Sequence, residues 1–224
     1  MLIASTITAA RNPDQPTQRA LLHQPDEDHL LAVLTSARGE GEPAAETART
    51  LATLALESLQ QLDPRKHRKP KSWQRLVRDL DAELARRLPE NTTASLLAIA
   101  VDAATVHAAA VGACALWILG RGADHDLTAE QPASPLLGAA QSPAALCIAS
   151  TIPGPRDIDH DVKHGGGALL AMTPGLHRHV DRAHLIDAAL RNQPEPATHR
   201  LEELARWRNN GALTEDFAAL IIRR

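Results

Sequence analysis

Gly165-Gly166-Gly167-Ala168-Leu169-Leu170-Ala171-Met172-Thr173-Pro174-Gly175-Leu176 reads as a tight turn feeding an apolar strand that closes on Thr-Pro-Gly-Leu. Two helical stretches, about residues 181–191 and 199–208, lead from it to Thr214-Glu215-Asp216-Phe217-Ala218-Ala219-Leu220-Ile221-Ile222, an apolar strand that opens on an acidic pair. Upstream, residues 94–101, 105–112 and 113–119 are apolar runs of strand length and are expected as adjacent antiparallel strands, although their alanine content also permits helix. Before them come two helices. Residues 43–62 carry Leu51, Leu54, Leu56, Leu59 and Leu62 at helical spacing, and residues 72–88 carry Trp73, Leu76, Val77, Leu80 and Leu84 behind Ser72 as N-cap. Residues 1–8, 19–23 and 30–34 are short runs expected as strands of a meander. Residues 131–155, rich in Pro, Ala and Ser, read as an irregular crossing segment with one short helix around 136–140, and residues 157–164 alternate as a strand. Strands, helix pair, strands, helix pair, strand is the order of a two-sheet core covered by helices on both outer faces.

Composition limits what such a chain does. With 224 residues it has room for a proper core, and residues 1–224 are expected to form one domain. A formal charge of −3 gives the whole molecule neither a nucleic-acid grip nor a membrane-surface preference. Aromatic residues make up 2% of the chain, which removes the stacking platforms that single-stranded nucleic acid needs. Cys114 and Cys147 lie in apolar runs without ligand spacing and are expected as buried, reduced thiols, which points to a cytoplasmic location. No stretch reaches the roughly 18 apolar residues of a membrane span, and the first ten residues lack the pattern of a secretion signal.

The order and spacing of several motifs together resemble the metal-dependent protein phosphatases, the PPM family of type 2C. There a strand runs into Ser-Asp-Gly-Leu, where this chain has Thr173-Pro174-Gly175-Leu176, and the last strand opens with Asp-Asn or Asp-Asp, here Glu215-Asp216. Leu34-Thr35-Ser36-Ala37-Arg38-Gly39 stands in place of the family's Ala-Asp-Gly-Met-Gly-Gly, Asn91-Thr92-Thr93 in place of Gly-Thr-Thr, and Val111-Gly112-Ala113-Cys114 in place of Val-Gly-Asp-Ser, with Leu127-Thr128 following. The resemblance spans roughly residues 1–222. It implies an α+β fold, a four-layer αββα sandwich of two antiparallel sheets flanked by helix pairs.

In that family Mg²⁺ or Mn²⁺ ions activate a bridging water against a phosphomonoester, and hard cations need anionic oxygen ligands. Carried over residue by residue, the opening acidic pair falls on Gln18 and Arg19, and the bridging aspartate on Thr35, with Ser36 beside it. The remaining aspartates fall on Ala113, Pro174 and Glu215. Only Glu215 keeps a negative charge. The family's phosphate-gripping arginine falls on Asp14. A guanidinium within about 4 Å of a divalent ion costs several kcal/mol even at moderate effective dielectric. The expectation is therefore a vestigial site with no metal, no cofactor and no catalytic or phosphate-binding residue, in which Arg19 and Glu215 pair across the sheets. A separation beyond about 6 Å with no bridging water would reject that pairing.

Other groups have blander readings. Asp157, Asp159 and Asp161 share one face of an alternating strand and His160 and His164 the other, which splits the two ligand types of any single site. His177, His179 and His184 lack a companion Cys or Glu at zinc spacing, and Gly165-Gly166-Gly167 precedes a strand instead of opening a phosphate-binding helix. The basic stretch 65–71 reads as a solvated inter-helix loop, with an acidic or phosphorylated partner as the alternative. The sum is a phosphatase-like domain that binds a protein partner without catalysis. Two alternatives stay open: an active serine/threonine phosphatase using Mg²⁺ or Mn²⁺ on a displaced set drawn from Asp157, Asp159, Asp161 or Asp216, and a structural domain of a larger assembly.

Overall fold

The computed structural model describes residues 2–25, 29–39, 41–87, 92–120, 124–132, 136–139, 143–153, 167–191, 193–207 and 210–223. Two five-stranded antiparallel sheets form its centre. One has the order β1 (Ile3–Ala9), β10 (Phe217–Arg223), β9 (Ala168–Met172), β6 (Ala115–Leu119), β7 (His125–Asp126). The other runs β2 (Arg19–Pro25), β3 (His29–Ala37), β4 (Ala94–Asp102), β5 (Thr105–Val111), β8 (Leu146–Thr151). Helices α1 (Gly41–Gln61) and α2 (Pro70–Arg87) cover the second sheet, while α3 (Pro174–His177), α4 (Arg182–Arg191) and α5 (Pro194–Trp207) belong to the first.

Alternation along each strand explains the continuous apolar runs, because neighbouring side chains enter different layers that are both dry. Leu96 packs with α1 and α2 while Leu97 enters the layer between the sheets; Leu170 packs with α4 and α5 while Leu169 faces Leu97's layer. Leu220 and Ile221 divide in the same way. Three apolar layers thus separate four layers of structure, and the αββα expectation holds.

Several local expectations need correction. The runs 105–112 and 113–119 are not neighbours: β5 pairs with β4 and β8, whereas β6 pairs with β9 and β7 in the other sheet. Gly112 makes the crossing, with φ +79° and no space for a side chain, since a Cβ there would lie 2.4 Å from Ser95 Oγ. Within 131–155 the chain forms the edge strand β8, and residues 136–139 are not helical; Leu137 bridges to Ala94 instead. Helix α2 begins at Pro70 and α5 at Pro194, because a proline suits the first helical turn, whose N–H has no intrahelical partner. Cys114 is buried and reduced as expected, but Cys147 is half-exposed. The expected strand 157–164, and Gly165 and Gly166, lie outside the described residues. No helix among the described residues is long and apolar enough to cross a membrane.

Candidate functional site

The ends of both sheets open onto one cavity of about 270 Å³. Close backbone joints shape its walls. Thr173 accepts from the Ala218 amide on Oγ1 at 2.8 Å and donates its own amide to the Ala218 carbonyl at 3.0 Å, which locks the end of β9 to β10. A Cβ on Gly175 would lie 2.0 Å from the Asp216 carbonyl oxygen, so only glycine lets the start of α3 rest on residues 215–216. Asp216 spends both carboxylate oxygens on backbone, accepting from the amides of Arg11 and Gln18 at 2.7 Å each. That bidentate grip holds the β1–β2 connection over the cavity. Opposite it, Ser95 Oγ accepts from the Ala113 amide at 3.1 Å, and His177 Nε2 donates to the Ala113 carbonyl at 2.9 Å. Burial lowers the His177 pKa and keeps the imidazole neutral at neutral pH, while the hydrogen bond to the Ala113 carbonyl works the other way and fixes the proton on Nε2.

Arg19 occupies the floor and is 8% exposed. Its Nη1 donates to the carbonyls of Ala37 at 3.0 Å and Gln18 at 3.2 Å, and its Nη2 lies 3.7 Å from Glu215 Oε2. Nε has no hydrogen-bond partner among the described residues. Arg19 belongs to one sheet and Glu215 precedes β10 of the other, so this ion pair spans the sandwich well inside the 6 Å limit set above. Glu215 also reaches His179, Nε2 to Oε1 at 3.3 Å. Burial lowers the Arg19 pKa from a value so high that the group stays charged. Beneath it the Cys114 thiol, pushed up to about 12 by burial, stays neutral and supplies no counter-charge at physiological pH.

Of the positions marked in the sequence, Gln18, Arg19, Ser36, Ala113, Pro174 and Glu215 all line this cavity. Thr35 does not. It is fully buried on the opposite face of β3, where Oγ1 donates to the Ala48 carbonyl of α1 at 2.8 Å. A one-residue shift along a strand reverses the face, and Ser36 is the β3 side that meets the cleft. Asp14 is likewise misplaced, being exposed and outside the lining. The β1–β2 connection contributes Arg11 instead, and Arg38 and Arg178 complete a set of four arginines against the two carboxylates of Glu215 and Asp216. Sequence reasoning missed these three arginines. Arg38 stands two residues from Ser36 and Arg178 one helical turn from Pro174, a spacing that could have exposed both; Arg11 depends on a loop path that no spacing encodes.

A divalent ion does not fit this donor set. Ala113 and Pro174 offer no side-chain oxygen, Asp216 is already bound to backbone, and the cavity floor is a guanidinium. His184 sits 3.8 Å from Asp181 at the surface, away from this lining. No group of three or more His, Cys, Asp or Glu side chains that could hold a metal gathers among the described residues, and Asp157, Asp159 and Asp161 lie outside them.

No family model and no curated protein sequence matches this chain. Solved structures do. A bacterial serine phosphatase superposes with a TM-score of 0.79 at 10% identity, covering 100% of this chain and 98% of that one. The serine/threonine phosphatase Stp1 from Staphylococcus aureus gives 0.76 at 12% identity, with 100% and 94% covered. The PP2C phosphatase domain of SpoIIE from Bacillus subtilis, solved with a fragment of its regulatory domain, gives 0.74 at 13% identity, with 100% and 63% covered. The chain therefore has the fold of the PP2C-type serine/threonine phosphatases.

Proposed function

We propose that this domain is a pseudophosphatase: a phosphatase-fold module that does not hydrolyse phosphate esters and acts as a regulator or scaffold by holding a protein partner. The observation that carries the reading is Arg19, buried at the cavity floor and tied to two backbone carbonyls and Glu215. At about 4 Å its charge opposes a divalent ion by several kcal/mol even at an effective dielectric near 20, and a cleft without such an ion lacks the means to activate water. The same charges suit an anion. Guanidinium groups match phosphate oxygens in bidentate geometry, so four arginines against two carboxylates favour a partner that presents a phosphorylated or strongly acidic group. No cofactor enters this reading. Membrane and nucleic acid are not its partners, and the cytoplasm is its proposed place of work.

Purified protein assayed with p-nitrophenyl phosphate and Mn²⁺ tests the non-catalytic half. Turnover at the level of buffer is expected. Robust turnover abolished by a chelator would establish an active phosphatase with a displaced metal set. The binding half is read by titrating phosphoserine peptides into wild-type protein and Arg178→Glu: loss of binding in the variant supports the cationic cleft, and equal binding opposes it.

A further inference from the structure

A second charged surface lies on the helix layer and shares no residue with the cleft. Residues 63–79 hold seven lysines and arginines against two aspartates, a net of +5 in a chain whose total is −3, so the remainder carries −8. Three of the chain's four lysines fall here, at positions 66, 69 and 71. All seven cations are exposed. Among the described residues only Arg68 and Arg75 have acidic partners, Asp102 at 3.7 Å and Asp79 at 3.5 Å. Such a concentration of like charge repels itself, and only solvent or an anionic partner relieves it.

The frame that displays these charges is rigid. Asp63 caps a short 3-10 turn, accepting from the Arg65 amide at 2.9 Å. Next to it His67 is 4% exposed, and its carbonyl accepts from Trp73 Nε1 at 2.7 Å, while Ser72 donates its amide to the Lys69 carbonyl at 2.9 Å. A loop that served only as a solvated link would not need its middle anchored in the core. Anchoring lowers the entropy lost when a ligand is gripped. Beside the loop, between the end of α1 and the start of α2, lies a groove of about 490 Å³. Leu62 and Leu76 contribute apolar surface to it, Lys66, Lys71 and Arg75 stand around it, and its lining holds a single carboxylate, Asp79, which is paired with Arg75. The first turn of α2 contains no acidic residue, so the positive end of its dipole adds to the field.

We infer that this groove is a docking site for an acidic amphipathic segment of a protein partner, whose carboxylates pair with Lys66 and Lys71 while an apolar side chain rests on Leu62 and Leu76. Charge complementarity selects the sign, and the leucines select peptide over nucleic acid. A long polyanion running past the patch would meet the −8 remainder, and no aromatic side chain lines the groove for bases to stack on.

Fluorescence anisotropy with a labelled peptide of Leu-Glu-Glu-Leu repeats tests this on the full chain. Lys66→Glu combined with Lys71→Glu should weaken binding by about tenfold or more, and Arg200→Glu on α5 by less than about twofold. Thermal melts confirm that the variants fold. Replacing the peptide's leucines by serine at unchanged charge should weaken binding at least about threefold, the loss of one buried apolar contact. Equal affinity in the double variant, equal affinity of the serine peptide, or tighter binding of a single-stranded RNA of the same charge would each overturn the proposal. Loss of peptide binding in Arg178→Glu with none in the Lys66→Glu, Lys71→Glu double variant would place the peptide in the cleft and overturn the proposal.

Discussion

At the scale of single residues, the cleft separates positions that backbone packing fixes from positions that depend on what the cavity holds. Gly112 and Gly175 stand at positions where a Cβ would strike Ser95 Oγ at 2.4 Å and the Asp216 carbonyl oxygen at 2.0 Å, so backbone packing demands them whatever the cavity contains. Carboxylates at Ala113 and Pro174 are demanded only by a cation. Gly175→Ala should therefore destabilise the fold by about 2–3 kcal/mol, because the obstructing atom is backbone and cannot swing aside. The midpoint of guanidinium denaturation reads this directly, and a change within about 0.5 kcal/mol would contradict the tight joint. Arg19 and Glu215 were legible as a pair because they are the two charged residues in a set otherwise stripped of charge. Thr35 was placed one residue out of register, since spacing in a fully buried strand does not reveal which of two dry faces a side chain enters.

At the scale of elements, the helix pairs were the most legible, because each buries one stripe and exposes the other. The strands were harder. Both faces of β4 and β5 are covered, so their alternation vanishes, and the change of sheet at Gly112 depends on one positive φ. Edge strand β8 escaped because its residues are only partly buried. Histidines held away from solvent carry a pH dependence. His67 stacks on His29 at 5.8 Å beside Trp73, facing also His107 and Asp102; burial lowers its pKa, and His29 and His107 add to the effect. His107 is lowered by burial and then by Arg68, against Asp102, and His177 chiefly by burial. The unfolded chain takes up these protons near the ordinary value of about 6.5, the folded chain only at lower pH. Below about 6.5 the unfolded state thus binds more protons, and stability present at neutral pH falls as pH drops toward the folded values. Melting temperature should decline from pH 7 to pH 5, less steeply in His107→Gln. An unchanged slope in that variant would remove His107 from the explanation.

At the scale of the whole molecule, the order of strands and helices sufficed for the αββα sandwich. Identities of 10–13% with phosphatases of the same fold show how little sequence that architecture requires. What the order could not show was the sign of the cleft, because Arg11, Arg38 and Arg178 converge from three separate connections. The lining sets four arginines against two carboxylates, and the proposal that it disfavours a divalent cation is open to a direct reading. Manganese titrated into the protein at neutral pH, with the free aqua ion followed by electron paramagnetic resonance, should give a signal proportional to total manganese, with no site tighter than on the order of millimolar. A stoichiometric loss of that signal, restored by Glu215→Gln, would contradict the claim that the cleft excludes divalent ions.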